Sequence, residues 1–157
     1  MVKYKPNEVV YNVLLHHINH YIQVKKIFKT DYDSHMISIT VFAHFLYGTL
    51  NPSHEKYLNK DLDWSAIFPA AKGLSKDQKK YINKLSLFAM AQILNMPKET
   101  VRRKVINLCK KKLLDYSVKD GITIGDNWEQ MAQQIAPKDI NSLNNAIKAI
   151  DKNGGVY

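Results

Sequence analysis

A chain of 157 residues with 45% hydrophobic content can bury a core of domain size and is not composed like a disordered one, while its net charge of +9 points to a polyanionic partner. A single cysteine, Cys109, excludes an internal disulfide and fits a reducing compartment. No run reaches the ~18 apolar residues of a membrane span, and Pro6-Asn7-Glu8 interrupts any signal-peptide pattern, so the expected location is the cytoplasm and no membrane partner is expected.

Residues from Pro6 to about Lys29 read as a long helix. Val10, Leu14, Ile18, Tyr21, Ile22, Val24 and Phe28 cover more than one of its faces, which predicts a neighbour on each side, one of them from a second subunit. The same helix carries His16, His17 and His20; His16 and His20 stand four apart, the spacing that lets two imidazoles share a metal, with His35, His44 or His54 to complete a site. No glutamate follows at a zincin-like position and there is no cysteine cluster. Solvated or interfacial histidines are the commoner case, so neither metal nor cofactor is expected.

Asp31 to Ser34 offers a turn with an N-cap, followed by an apolar stretch from His35 to Tyr47. Its Ile37-Ile39-Val41 alternation fits a strand, but thirteen residues ending at Gly48 favour a buried helix. The aromatic residues Tyr11, Tyr21, Phe28, Phe42, Phe45 and Tyr47 can line a pocket for a small-molecule effector or pack as core, packing being the commoner use. Residues 51–74 are the least regular: Pro52-Ser53 opens a short helix to about Asn59, Trp64, Ile67 and Phe68 act as anchors, and Pro69 and Gly73 punctuate. Ser75 then caps a helix running to about Lys84.

The stretch from Ser86 to Gly125 carries the densest signals. Ser86 suits an N-cap, and Leu87, Met90, Ala91 and Leu94 make one apolar face. Asn95-Met96-Pro97 breaks the run, and Pro97 suits the first turn of a second helix because it has no N–H to leave unsatisfied. On that helix Val101, Val105, Leu108 and Cys109 form an inward stripe, while Lys98, Arg102, Arg103 and Lys110 point elsewhere; on the stripe, Cys109 reads as a buried structural thiol. Leu113 to Val118, a turn at Lys119-Asp120-Gly121 and Ile122-Thr123-Ile124 predict a β-hairpin.

Charge is concentrated in the same place. Residues 84–112 hold eight Lys/Arg against one acid, Glu99, whereas residues 113–157 are net negative. The chain has 21 lysines and two arginines, and those two, Arg102 and Arg103, are adjacent on the second helix. A guanidinium fork matches guanine O6/N7 or phosphate oxygens, where an ammonium is only a point charge.

The pattern Leu85-Ser86-x-x-x-Met90-Ala91-x-x-Leu94-x-Met96-Pro97-x-Glu99-Thr100-Val101-Arg102-Arg103 resembles the helix-turn-helix of bacterial winged-helix transcription regulators, close in style to the MarR and CRP/FNR groups. Asn95 stands where glycine is usual, a small departure because Asn tolerates the left-handed conformation. The resemblance implies that the helix from Pro97 to about Lys112 enters the major groove of double-stranded DNA and that the hairpin touches the adjacent backbone or minor groove. Lys98, Thr100, Arg102 and Arg103 would then meet base edges, and Ser86, Lys104, Lys110, Lys111 and Lys119 would hold phosphates.

Beyond the hairpin, Asp126 or Asn127 caps a helix carrying Trp128, Met131 and Ile135, and Pro137 begins another in which Ile140, Leu143, Ile147 and Ile150 form a narrow seam suited to a helix–helix dimer contact. The expected organisation is mainly α, a winged helix-turn-helix over residues 75–125 flanked by dimerisation helices: an N-terminal region, 1–74, with any effector site, and C-terminal helices, 126–157. No catalytic constellation appears: there is no nucleophile elbow, no phosphate-binding glycine loop and no carboxylate pair in an apolar setting, so an enzyme is not expected. The sequence therefore reads as a homodimeric, sequence-specific transcription regulator binding an inverted repeat. The alternatives are a winged-helix protein-interaction module and a nucleic-acid-binding replication or nucleoid factor without regulatory switching.

Overall fold

The computed structural model describes residues 6–50 and 84–152. The short helix expected from Pro52, the anchors Trp64, Ile67 and Phe68, the helix capped by Ser75, and His54 lie outside the described residues. Among the described residues the fold is mainly α, with five helices and one antiparallel hairpin: α1 (Pro6–Phe28), α2 (Tyr32–Leu50), α3 (Leu87–Ile93), α4 (Lys98–Lys110), β1 (Leu114–Ser117), β2 (Gly121–Ile124) and α5 (Trp128–Lys152). They form two compact units, one of residues 6–30 and 132–152, the other of residues 31–50 and 84–131.

The second unit is built on α2, which starts earlier than its apolar stretch suggests because Asp31 caps it: the Ser34 amide donates to Asp31 Oδ1 at 2.8 Å. Helix, not strand, is the outcome for Ile37-Ile39-Val41. The hydroxyls on this apolar helix are satisfied locally, Ser38 Oγ donating to the Ser34 carbonyl and Thr40 Oγ1 to that of Met36. Ile37 and Val41 join Met90, Val101, Val105, Leu108, Leu113, Leu114 and Ile122 in a core sealed from solvent. Helix α2 packs on α4 and β2, and α4 on α3 and β1. Among the rings of this unit, Phe42 stacks with Phe45 at 6.2 Å and meets Trp128 at 5.5 Å between centroids.

Short-range chemistry fixes the joints. Ser86 caps α3, its hydroxyl accepting from the Ala89 amide at 3.0 Å. Asn95 takes the left-handed conformation (φ 48°), and the Met96 amide returns to the Ala91 carbonyl at 2.9 Å, which turns the chain tightly into α4. Pro97 is the N-cap of α4 rather than its first helical residue. In the hairpin Leu114 pairs with Ile124 and Ser117 with Gly121. Gly121 is required there: φ is +79°, and a Cβ would stand 2.6 Å from the Leu85 carbonyl oxygen. That oxygen accepts from the Ile122 amide at 2.8 Å, so Leu85, just ahead of the α3 cap, is held on β2.

In the first unit α1 and α5 run antiparallel, joined by Lys152 to Glu8 at 3.2 Å, His20 to Asp139 at 2.5 Å and Lys138 to Gln23 at 3.2 Å. The expected break at Pro137 does not occur; α5 continues through it. An interior proline forfeits one helical hydrogen bond and crowds the preceding turn, but Ile135, Ala146 and Ala149, buried along one line on both sides of it, hold the two halves to a common face. The line of α1 that is half or fully covered carries Asn12, His16, His20 and Val24. Its large apolar residues Val10, Leu14, Ile18 and Ile22 are exposed instead, as are Ile140, Leu143 and Ile147 of α5.

Candidate nucleic-acid interface

Helix α4 is two-sided. Val101, Val105 and Leu108 are buried at one side. At 3.6 residues per turn, Arg103 and Lys110 fall on the opposite face, while Arg102 lies on its flank with Lys98 one turn before it at the helix start, and all four are exposed. Cys109, expected on the inward stripe, is only half-buried: it sits one residue past Leu108 and so turns away from the core. Burial still pushes its thiol up from the usual range.

The expected contact residues separate into groups. Thr100 is half-buried and lies on the next face round, together with Lys104, so the four expected base-edge residues do not share one line. Lys104 is largely enclosed, at 14% side-chain exposure, with its Nζ 2.8 Å from Asp31 Oδ2 and 3.3 Å from Asp33 Oδ2. Burial opposes its charge, but hydrogen bonding to the two aspartates outweighs that and raises its pKa. Lys110 and Lys111 are exposed at the end of α4, and Lys119 is exposed at the hairpin tip. The Ser86 oxygen already serves as the α3 cap, which leaves its hydroxyl proton for another acceptor.

Two relationships escape the sequence reading. Glu99 receives Arg102 as a fork: Nε lies 2.9 and 3.1 Å from the two carboxylate oxygens and Nη2 lies 2.8 Å from Oε1. This bond holds the Glu99 carboxyl below its usual range and raises the arginine. The i,i+3 spacing is a signal that could have revealed it. The other is at the hairpin tip, where Lys84 Nζ donates to the Val118 carbonyl and the Asp120 amide donates to Ser117 Oγ at 2.8 Å, giving the turn that presents Lys119 a fixed shape.

The histidines lie elsewhere. His16 and His20 stand 6.3 Å apart between ring centroids, and His20 faces Asp139. Among the described residues no group of three or more His, Cys, Asp or Glu side chains is arranged to hold a metal ion. Nor is any helix among them long and apolar enough to cross a membrane. Comparisons with protein-family models, curated proteins and solved structures find no match to this chain.

Proposed function

We propose that this protein is a winged helix-turn-helix transcription regulator that binds double-stranded DNA as a homodimer, reading an inverted-repeat operator with α4. The observation that carries the reading is the set of exposed cations on α4, with Arg103 and Lys110 opposite the side sealed into the core and Arg102 and Lys98 on the flank. A short helix, a tight turn, this helix and then a hairpin follow one another in the order a winged helix requires, with Lys119 at the tip of the wing. Arg102 and Arg103 are the candidate base readers, with Lys98 beside them. Lys110, Lys111, Lys119 and the Ser86 hydroxyl are suited to phosphates.

The dimer is supported by the first unit. Ten large apolar side chains of α1 and α5, from Val10 to Ile147, are 37–64% exposed. A standard interface takes about 800 Å² per partner, and ten such side chains supply area on that scale.

The test is binding of labelled duplex DNA as a function of salt. With Lys110, Lys111 and Lys119 of each subunit on phosphates, about six contacts in the dimer, log K should fall against log salt with a slope of about −5. A slope near zero removes DNA from the reading. It would leave the second one, a protein-interaction module, which is favoured by Phe88 and Ile93 of α3, each 59% exposed. Competition between random and selected duplexes then separates a regulator from a replication or nucleoid factor without sequence preference.

A further inference from the structure

The exposed face of α4 carries one acid among its cations, Glu99. Its place in the first turn is favourable for the helix dipole, but the dipole does not dictate where the carboxylate points. It points at Arg102, taking the Nε–H and one Nη2–H at 2.8–3.1 Å. A guanidinium has five N–H donors in a rigid plane. The carboxylate fork uses the edge formed by Nε and Nη2, leaving the edge formed by Nη1 and the second Nη2 proton, which is the pair that meets guanine O6 and N7 end-on. Arg102 is 51% exposed, so that edge is accessible while its flank is fixed.

We infer that Glu99 is a specificity-determining positioning residue, which holds Arg102 in the orientation that reads a guanine and keeps the same arginine from collapsing onto the nearest phosphate. The inference rests on the DNA-reading function proposed above. It assigns opposite effects to one side chain. Glu99 disfavours non-specific binding, because it adds a negative charge to a surface that meets phosphates, and it favours the correct site, because an arginine already ordered along its flank loses less freedom on reading a base. A carboxylate that only balanced charge would weaken both kinds of binding alike.

The experiment uses the full chain, its selected duplex, that duplex with the G·C pair facing Arg102 replaced, and a random duplex. Glu99→Gln should raise affinity for the random duplex while reducing discrimination at that pair about fivefold, part of what a bidentate contact supplies. In an Arg102→Lys background, Glu99→Gln should cause no further loss of discrimination, because the glutamate acts through the arginine. In the free protein, the Arg102 Nε–H resonance should be ordered, and Glu99→Gln should release it. Discrimination unchanged in Glu99→Gln, an additive loss in the double variant, or a mobile Arg102 Nε–H in the unaltered protein would each overturn the inference. An ordered Nε–H in a protein that binds all duplexes alike would mark the failure as that of the DNA-reading function, and the specificity role would fall with it.

Discussion

Lys104 Nζ lies 2.8 Å from Asp31 Oδ2, a contact between residues 73 positions apart that joins the basic helix α4 to the N-cap of α2. Asp31 uses its other oxygen to accept the Ser34 amide, so one carboxylate both starts a helix and anchors a neighbouring one. Lys104 should therefore behave differently from the other lysines of α4. Lys104→Ala is expected to cost about 1 kcal/mol of folding stability while changing the salt slope of DNA binding little. Lys110→Ala should leave stability within about 0.5 kcal/mol and reduce the slope by about one unit per subunit, about two for the dimer. Urea unfolding and salt titration of the two variants make the comparison.

The same contact gives stability a dependence on acid. Burial opposes ionisation of Asp31, yet hydrogen bonds from Lys104 and Ser34 outweigh it and lower its pKa from 3.8 to about 2. Because the folded value lies below the unfolded one, the stabilisation is complete above about pH 4 and is lost as pH falls towards 2. The side chain is 61% exposed, so screening limits the contribution to about 1 kcal/mol. Asp31→Asn retains a capping oxygen and removes the titration. Its urea midpoint should sit below that of the parent at pH 5 and converge with it near pH 2.

Arg103 stands beside Arg102 on the exposed face of α4. Arg103→Lys retains the charge and loses the fork. If Arg103 reads a base, the variant should lose about 1–3 kcal/mol on the preferred duplex and bind random duplex like the parent. Equal binding of parent and variant to the preferred duplex would limit Arg103 to the backbone.

Leu143 and Ile147 are 46% and 45% exposed on α5, and Ile18 is 53% exposed on α1. Replacing Leu143 and Ile147 with Asp should give a monomer in sedimentation at micromolar concentration, still folded and still binding DNA weakly and with salt sensitivity. The preference for two half-sites about 10 bp apart should be lost. A monomeric parent that footprints one asymmetric site would exclude the two-fold arrangement.

What the sequence disclosed is what neighbouring residues decide. Ser86 as a cap, Asn95 at positive φ and the hairpin around Gly121 depend on chemistry within a few residues, and each can be read locally. Pro137 could not be read that way, because its local cost is overridden by a buried line extending to Ala149. Periodicity showed that α1 has several apolar faces without showing which one is covered, and the covered line proved to carry Asn12, His16 and His20. At the candidate interface, composition located the arginines and the i,i+3 spacing offered Glu99 to Arg102, but the forked geometry of that pair depends on rotamers, and the Asp31–Lys104 pair on tertiary folding.

The base of the hairpin is closed by backbone on both sides. The Gly125 amide donates to the Leu113 carbonyl at 3.0 Å, the Asn127 amide to that of Lys112 at 2.9 Å, and Asn127 Nδ2 to that of Lys111 at 3.1 Å. The carbonyls of the turn that follows α4 are thus bonded by residues beyond the hairpin, while that turn's own Lys112 and Leu113 amides close on the Cys109 and Leu108 carbonyls of α4, and a Cβ on Gly125 would stand 2.5 Å from the Lys112 oxygen. Covalent continuity across the tip is then dispensable. New chain ends opened between Lys119 and Asp120, by a protease or by circular permutation, would leave the two strands paired and the turn after α4 bonded, whereas the same cut at Gly125 would part the hairpin from α5 and free that turn from Asn127.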